Sequence, residues 1–282
     1  MSRVLLILFL ATGGLLLMLS ATAARSGGDP ATPPNEAPLL AQEHEQPTST
    51  PLPACTFDDL PTAMSAYDQW DQTVLDTVYA LPESYAPPDL VAAAGAFPAG
   101  QAGAGEFQVR AIVIDDLRAL LAAAAEAGVE LAIQSAYRSY GYQQSTFDYW
   151  VDLNGRESAL ATSARPGHSE HQLGTAIDFR SLHGPAAWDL PDWAQTPEGG
   201  WLAANARHYG FAMSYPAGSK DITCYSYEPW HYRYLGRQLT TEIYDLGVTP
   251  RELLWARATG ARLGSLRYAP GAQQGDAAQE GE

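Results

Sequence analysis

"HSEHQLGTAIDF", residues 168–179, crowds two histidines, a glutamate and an aspartate around one glycine. Gly174 interrupts any helix through this stretch, so His171 is expected in a turn and "TAIDF" in a short strand after it. Strand side chains alternate between faces, which puts Ala176 and Asp178 on the same one. A turn residue and a strand residue placed this way can converge on one point.

The flanking segments show what that strand belongs to. Upstream, "VELAIQSAYRS" (129–139) alternates Val129, Leu131, Ile133 and Ser135 with polar or small neighbours, a strand that delivers Tyr137 and Arg138 at its end. Before it, "EFQVRAIVIDDLRALLAAAAEAG" (106–128) sets Val109, Ile112, Leu117, Leu120 and Leu121 near helical spacing, with Gly128 as C-cap. "YGYQQSTFDYWVDLNG" predicts a helix closing at Gly155, and "TPEGGWLAANARHYGF" one started by Thr196 with Pro197 at its first position. Helices and strands outside a strict βαβ rhythm predict an α+β domain, a small mostly antiparallel sheet packed with helices. No internal repeat is visible.

A chain of 282 residues with 46% apolar content can fill a sizeable core. A net charge of -16, with Lys220 the only lysine, removes any electrostatic reason to bind phosphate backbones, so nucleic acid is excluded as a partner. The N-terminus carries Arg3, an apolar and small-residue run from Val4 to Leu19, and Ala21-Thr22-Ala23. That is the pattern of an export signal over 1–24, cleaved or kept as an N-terminal anchor. The working part is then extracytoplasmic, secreted or cell-envelope associated, and meets a membrane only if the signal is uncleaved. Residues 25–54 read as a Pro-rich disordered linker, 55–268 as one folded domain and 269–282 as a disordered acidic tail.

Export gives the two cysteines, Cys55 and Cys224, a meaning: an even pair in an oxidising compartment is expected to be bonded. Two separate thiols are the alternative, or Cys224 as a metal ligand seven residues before His231.

"EPWHYRY" (228–234) adds a glutamate and a histidine. Pro229 favours a turn or a first helical position, and Glu228 and His231, three apart, share a face. Two imidazoles and a carboxylate would give a tetrahedral zinc three ligands and leave the fourth place to water, with a second carboxylate beside it as general base. Each stretch taken singly is also compatible with an ordinary polar patch. His44, His183 and His208 are read as non-ligands, and His168 as a supporting or surface residue.

"SEHQLGTAID" and "EPWH" resemble the SxHxxGxAxD and ExxH signatures of the zinc D-alanyl-D-alanine carboxypeptidases of the VanY type, and "SAYRSYGYQ" (135–143) resembles that family's third block. The resemblance covers most of residues 55–250 and implies a single zinc peptidase domain. It implies that His171, Asp178 and His231 bind one Zn2+ per chain and that Glu228 is the catalytic base. It implies that Arg138 stabilises the substrate carbonyl or carboxylate, and that Gln143, Ser169 and Tyr215 hold the peptide end. The "RSLHGPAAWDLPDWAQ" stretch (180–195) looks like a longer connection than the family's and leaves the cleft rim open. The implied function is a carboxypeptidase, acting as a monomer, that removes the C-terminal D-alanine from peptidoglycan stem peptides, with D,D or L,D preference undecided. The alternatives are an endopeptidase of the same family and a non-catalytic wall-binding module, which would have no need of Glu228.

Overall fold

The structure is a computed structural model that describes residues 51–98, 103–261 and 263. The expected signal (1–24), the linker up to residue 50, His44 and the tail (269–282) lie outside the described residues. In chain order the strands are β1 (Leu60–Pro61), β2 (Tyr79–Ala80), β3 (Leu90–Ala92), β4 (Gln108–Arg110), β5 (Leu131–Ser135), β6 (Ala176–Ser181), β7 (Phe211–Met213) and β8 (His231–Tyr234). The α-helices are α1 (Ile114–Glu126), α2 (Tyr140–Asn154), α3 (Arg156–Thr162), α4 (Pro197–Asn205), α5 (Lys220–Thr223), α6 (Arg237–Leu246) and α7 (Pro250–Thr259).

Alternation sorts the central sheet, ordered β5-β6-β8-β7 and antiparallel throughout, into two faces. Ile133, Ile177, Phe179, Phe211, Tyr232 and Tyr234 join one core with Leu117, Leu120 and Leu121 of α1. Fully burying a side chain such as Phe179 stabilises by ~1.5–3 kcal/mol, so this face pins the register. The opposite face carries Asp178, His231 and Arg233. Because β6 is central, Asp178 has Ser135 of β5 on one side and His231 of β8 on the other. A register shift between Ile133 and Ser135 brings Ser135 to that place. The α+β class and the antiparallel sheet agree with the sequence reading.

The expected helix over 106–128 begins later. Val109 lies in β4, paired with Val91 of β3, and Ile112 is half-exposed on a 3-10 turn before α1. Tertiary pairing overrides the helical spacing here: Arg110 N–H donates to the Gly174 carbonyl at 2.9 Å and the Arg110 guanidinium meets Asp89 at 2.8 Å. α2 starts at the N-cap Ser139 and ends against Gly155, and α4 has Thr196 as N-cap with Pro197 behind it, as expected. α3, α5, α6 and α7 lie outside the expected set.

Cys55 and Cys224 form a disulfide with a Cα–Cα distance of 5.1 Å, which removes both sulfurs from metal binding. Arg251 of α7 reinforces this junction, reaching Asp76 at 2.7 Å, the Ile222 carbonyl at 2.6 Å and the Pro53 carbonyl at 3.0 Å. Among the described residues no helix is long and apolar enough to cross a membrane.

Candidate metal and catalytic centre

His171 lies in a 3-10 turn (Glu170–Leu173) that Ser169 caps through its hydroxyl and Gly174 ends at φ 73°. That is the left-handed region, and a Cβ on Gly174 would also come within 2.9 Å of Arg110 Cγ, so only glycine fits. The turn aims His171 at the sheet face bearing Asp178 and His231. Glu228 and His231 are linked by a turn rather than a helix: His231 N–H donates to the Glu228 carbonyl at 3.2 Å, and His231 opens β8.

The donor atoms of His171, Asp178 and His231 all lie within 4.8 Å of one another, and all three residues are buried. The hydrogen bonds indicate what these atoms can hold. His171 Nδ1 is 2.7 Å from the Ala136 carbonyl, which can only accept, so Nδ1 carries the hydrogen. Nε2 is then a bare lone pair, buried without a hydrogen-bond donor and 3.2 Å from Asp178 Oδ2. Two acceptors facing each other in a dry site suit a cation between them. Burial holds His171 down to about 4, so the imidazole is neutral, as a ligand must be. Burial alone would push the Asp178 carboxyl up, but its contacts with His171 and His231 keep it ionised.

His231 Nδ1 lies 3.0 Å from Asp178 Oδ1 and its Nε2 lies 2.9 Å from Glu170 Oε2. Burial lowers the affinity of this ring for a proton, but its hydrogen bonds to Asp178 and Glu170 prevail and raise its pKa to about 10. A metal held through Nδ1 of this ring would have to displace the proton there. Two imidazole nitrogens, once His231 gives up its Nδ1 proton, and one carboxylate match the borderline-soft character of zinc.

Glu228 reaches His231 Nδ1 at 3.8 Å, and burial pushes its carboxyl up to about 8. A carboxylate poised this way can take a proton and give it back. Arg138, past the end of β5, donates from Nε to Gln143 at 2.7 Å and from Nη1 to Ser135 at 2.5 Å, with Nη1 3.5 Å from Asp178.

His171, Asp178, His231, Glu228, Arg138, Ser169 and Tyr215 all line one cleft of about 380 Å³. That is within the size range of ligand sites. Gln143 sits differently: fully buried, it accepts from Arg138 and donates to the Ala164 carbonyl at 2.6 Å, so it braces Arg138 from behind. The Tyr215 ring packs on His231 with centroids 4.8 Å apart. Trp188 and Asp189 of the 180–195 connection, together with Trp150 and Trp230, line the same cleft.

His168 points away: it is buried, with Nδ1 donating to the Asp76 carbonyl at 2.7 Å and Nε2 3.0 Å from Asp59. His183 is exposed beside Glu130, and His208 lies on a 3-10 turn (Ala206–Tyr209). Sequence reasoning missed Glu170 and Arg233, which pair at 2.9 Å behind His231. Burial opposes the charge on Glu170, but Arg233, His231 and Ser214 outweigh it and hold its carboxyl at about 2. Arg233 had a legible signal, two residues after His231 on one strand face; Glu170 had none, because its carboxylate turns to a residue far along the chain.

The family model for VanY, D-alanyl-D-alanine carboxypeptidase, matches residues 106–237. The putative carboxypeptidase YodJ of Bacillus subtilis (strain 168) is 39% identical over 175 residues, covering 62% of this chain and 63% of that protein. The chain therefore spans just under two thirds of the length of that curated relative. Among solved structures, the LdcB LD-carboxypeptidase is 38% identical with a TM-score of 0.54, the match covering 63% of this chain and 82% of that one. A mutant of the VanY D,D-pentapeptidase from the VanB-type resistance cassette, solved in complex with Zn(II), is 28% identical with a TM-score of 0.54, covering 66% of this chain and 99% of that one.

Proposed function

The chain belongs to the VanY family of D-alanyl-D-alanine carboxypeptidases, and on that premise we propose that it is an exported zinc carboxypeptidase that removes the C-terminal D-alanine from peptidoglycan stem peptides. The observation that carries this reading is the facing lone pairs of His171 Nε2 and Asp178 Oδ2 beside His231 Nδ1, with Glu228 and Arg138 on the same cleft. His171, Asp178 and His231 would hold one zinc, which supplies a Lewis acid that acidifies water and polarises the scissile carbonyl. Glu228 takes the proton of the attacking water and returns it to the leaving amine. Arg138, its guanidinium held by Gln143 and Ser135, binds the terminal carboxylate or the developing negative charge on the carbonyl oxygen. Ser169 and Tyr215 close the pocket around the leaving residue, and Gln143 acts through Arg138. The export pattern at the N-terminus supports action at the cell wall.

The test uses purified protein and synthetic tetra- and pentapeptides, with mass spectrometry of the products. Release of a single D-alanine, about one zinc per chain, and a Glu228→Gln variant that keeps its zinc but loses turnover by roughly 10²–10⁴-fold are the expected results. A Glu228→Gln protein at wild-type rate would move the base elsewhere. Comparing the two peptide lengths decides between D,D and L,D preference.

A further inference from the structure

Behind the candidate ligands lies a buried polar cluster that the proposed reaction leaves unused: Glu170, Ser214 and Arg233. Glu170 precedes His171, yet its carboxylate serves the other imidazole. Oε2 is 2.9 Å from His231 Nε2 and 2.6 Å from Ser214 Oγ, and Oε1 accepts from Arg233 Nη1 at 2.9 Å. Arg233 is fixed in turn, its Nη2 donating to the Trp70 carbonyl at 2.7 Å and the Thr73 carbonyl at 2.8 Å. The carboxylate thus has donors on both oxygens and cannot turn without leaving a buried donor unpaired. It meets one nitrogen of the His231 ring, while the other, Nδ1, faces Asp178 at 3.0 Å and Glu228 at 3.8 Å.

We propose that Glu170, clamped by Arg233 and Ser214, is the positioning residue of this site: it orients the His231 ring and keeps the hydrogen on Nε2, leaving Nδ1 as the metal-binding atom. An imidazole ligand whose remote nitrogen donates to a fixed anion is both oriented and made a stronger donor. The clamp reaches the N-terminal segment through the Trp70 and Thr73 carbonyls, so residues with no place in the cleft support a ligand within it. A merely structural ion pair would affect stability and leave metal affinity alone. The inference rests on the zinc reading above.

The test is zinc affinity, measured by competition with a chromophoric chelator on metal-stripped wild type and Glu170→Gln. Glutamine has one acceptor oxygen, so either orientation sets its N–H₂ against Arg233 or against His231 and Ser214. The expected result is a 10- to 100-fold weaker zinc affinity with the far-ultraviolet spectrum unchanged. In parallel, nitrogen NMR of the zinc-loaded wild type should show His231 protonated at Nε2 and metal-bound at Nδ1, a readout that stands if the variant fails to fold. Equal affinity of a folded Glu170→Gln protein, or metal on Nε2, overturns the proposal while leaving the zinc reading intact. A wild type that takes up no zinc ends both.

Discussion

Arg138 is where the difference between trimming and internal cleavage becomes measurable. Its side chain is only 16% exposed and its guanidinium is held on Nε and Nη1, so it presents a fixed donor edge to the cleft. Burial lowers its pKa, but Asp178 and Glu228 favour its charge, and an arginine stays cationic throughout. A charge-assisted contact with a carboxylate contributes roughly 1.5–3 kcal/mol. Arg138→Ala should therefore lower kcat/KM about ten- to a hundredfold on a peptide with a free C-terminus, at unchanged zinc content. Amidating that C-terminus should cripple the wild type. Both peptides on both proteins give a double cycle, in which strong coupling places Arg138 on the carboxylate and independent losses place it on the carbonyl oxygen. Wild-type activity undiminished by amidation would favour the endopeptidase alternative.

A disulfide and a buried ion pair are two of the contacts that tie the N-terminal segment to the rest. Cys55 and Cys224 are 169 residues apart, and closing a loop of that length stabilises by up to about 5 kcal/mol in the chain-entropy model. Chemical denaturation with and without reductant should show the midpoint falling on reduction; an unchanged midpoint would contradict the stabilising role. Arg251 on α7 meets Asp76, which is 1% exposed and also accepts from the Val78 and Tyr79 amides. Arg251→Ala leaves that carboxylate buried with its cation gone, at an expected cost of about 3–5 kcal/mol. Differential scanning calorimetry reads both effects, and a loss below 1 kcal/mol for Arg251→Ala would mean that the pair is solvated in solution.

The molecule as a whole should be sensitive to alkali and to chelation. Burial raises the Tyr225 hydroxyl above its ordinary range, and burial together with a 2.8 Å hydrogen bond to Asp116 does the same for Tyr234. The folded state thus favours neutral tyrosine, a contribution fully present below the unfolded pKa of about 10 and lost as pH rises beyond it. Tyrosinate absorbance from these two rings should appear only together with the loss of the far-ultraviolet signal; titration of all tyrosines in a folded protein would contradict this. Zinc binding the folded state alone would add about 2.7 kcal/mol at a hundredfold excess over Kd, so a chelator should lower the melting temperature of wild type and leave His231→Ala unmoved.

Local chemistry made much of this legible in the chain. Gly174 forces a turn after His171, alternation sets Asp178 in a strand, Ser139 and Thr196 cap helices, and Arg138 falls at a strand end, because each depends on neighbours a few residues away. The same reasoning misread 106–113, where spacing favoured a helix but pairing of Val109 with Val91 drew the chain into a strand. It also could not foresee Gln143 behind Arg138, Glu170 on His231, or the clamp from Arg233 to Trp70 and Thr73. Such contacts depend on which strand lies beside which and on the rotamer each buried side chain is left with. Sequence spacing carries no information about either, so these partners emerge only when the sheet closes and its polar groups must find one another.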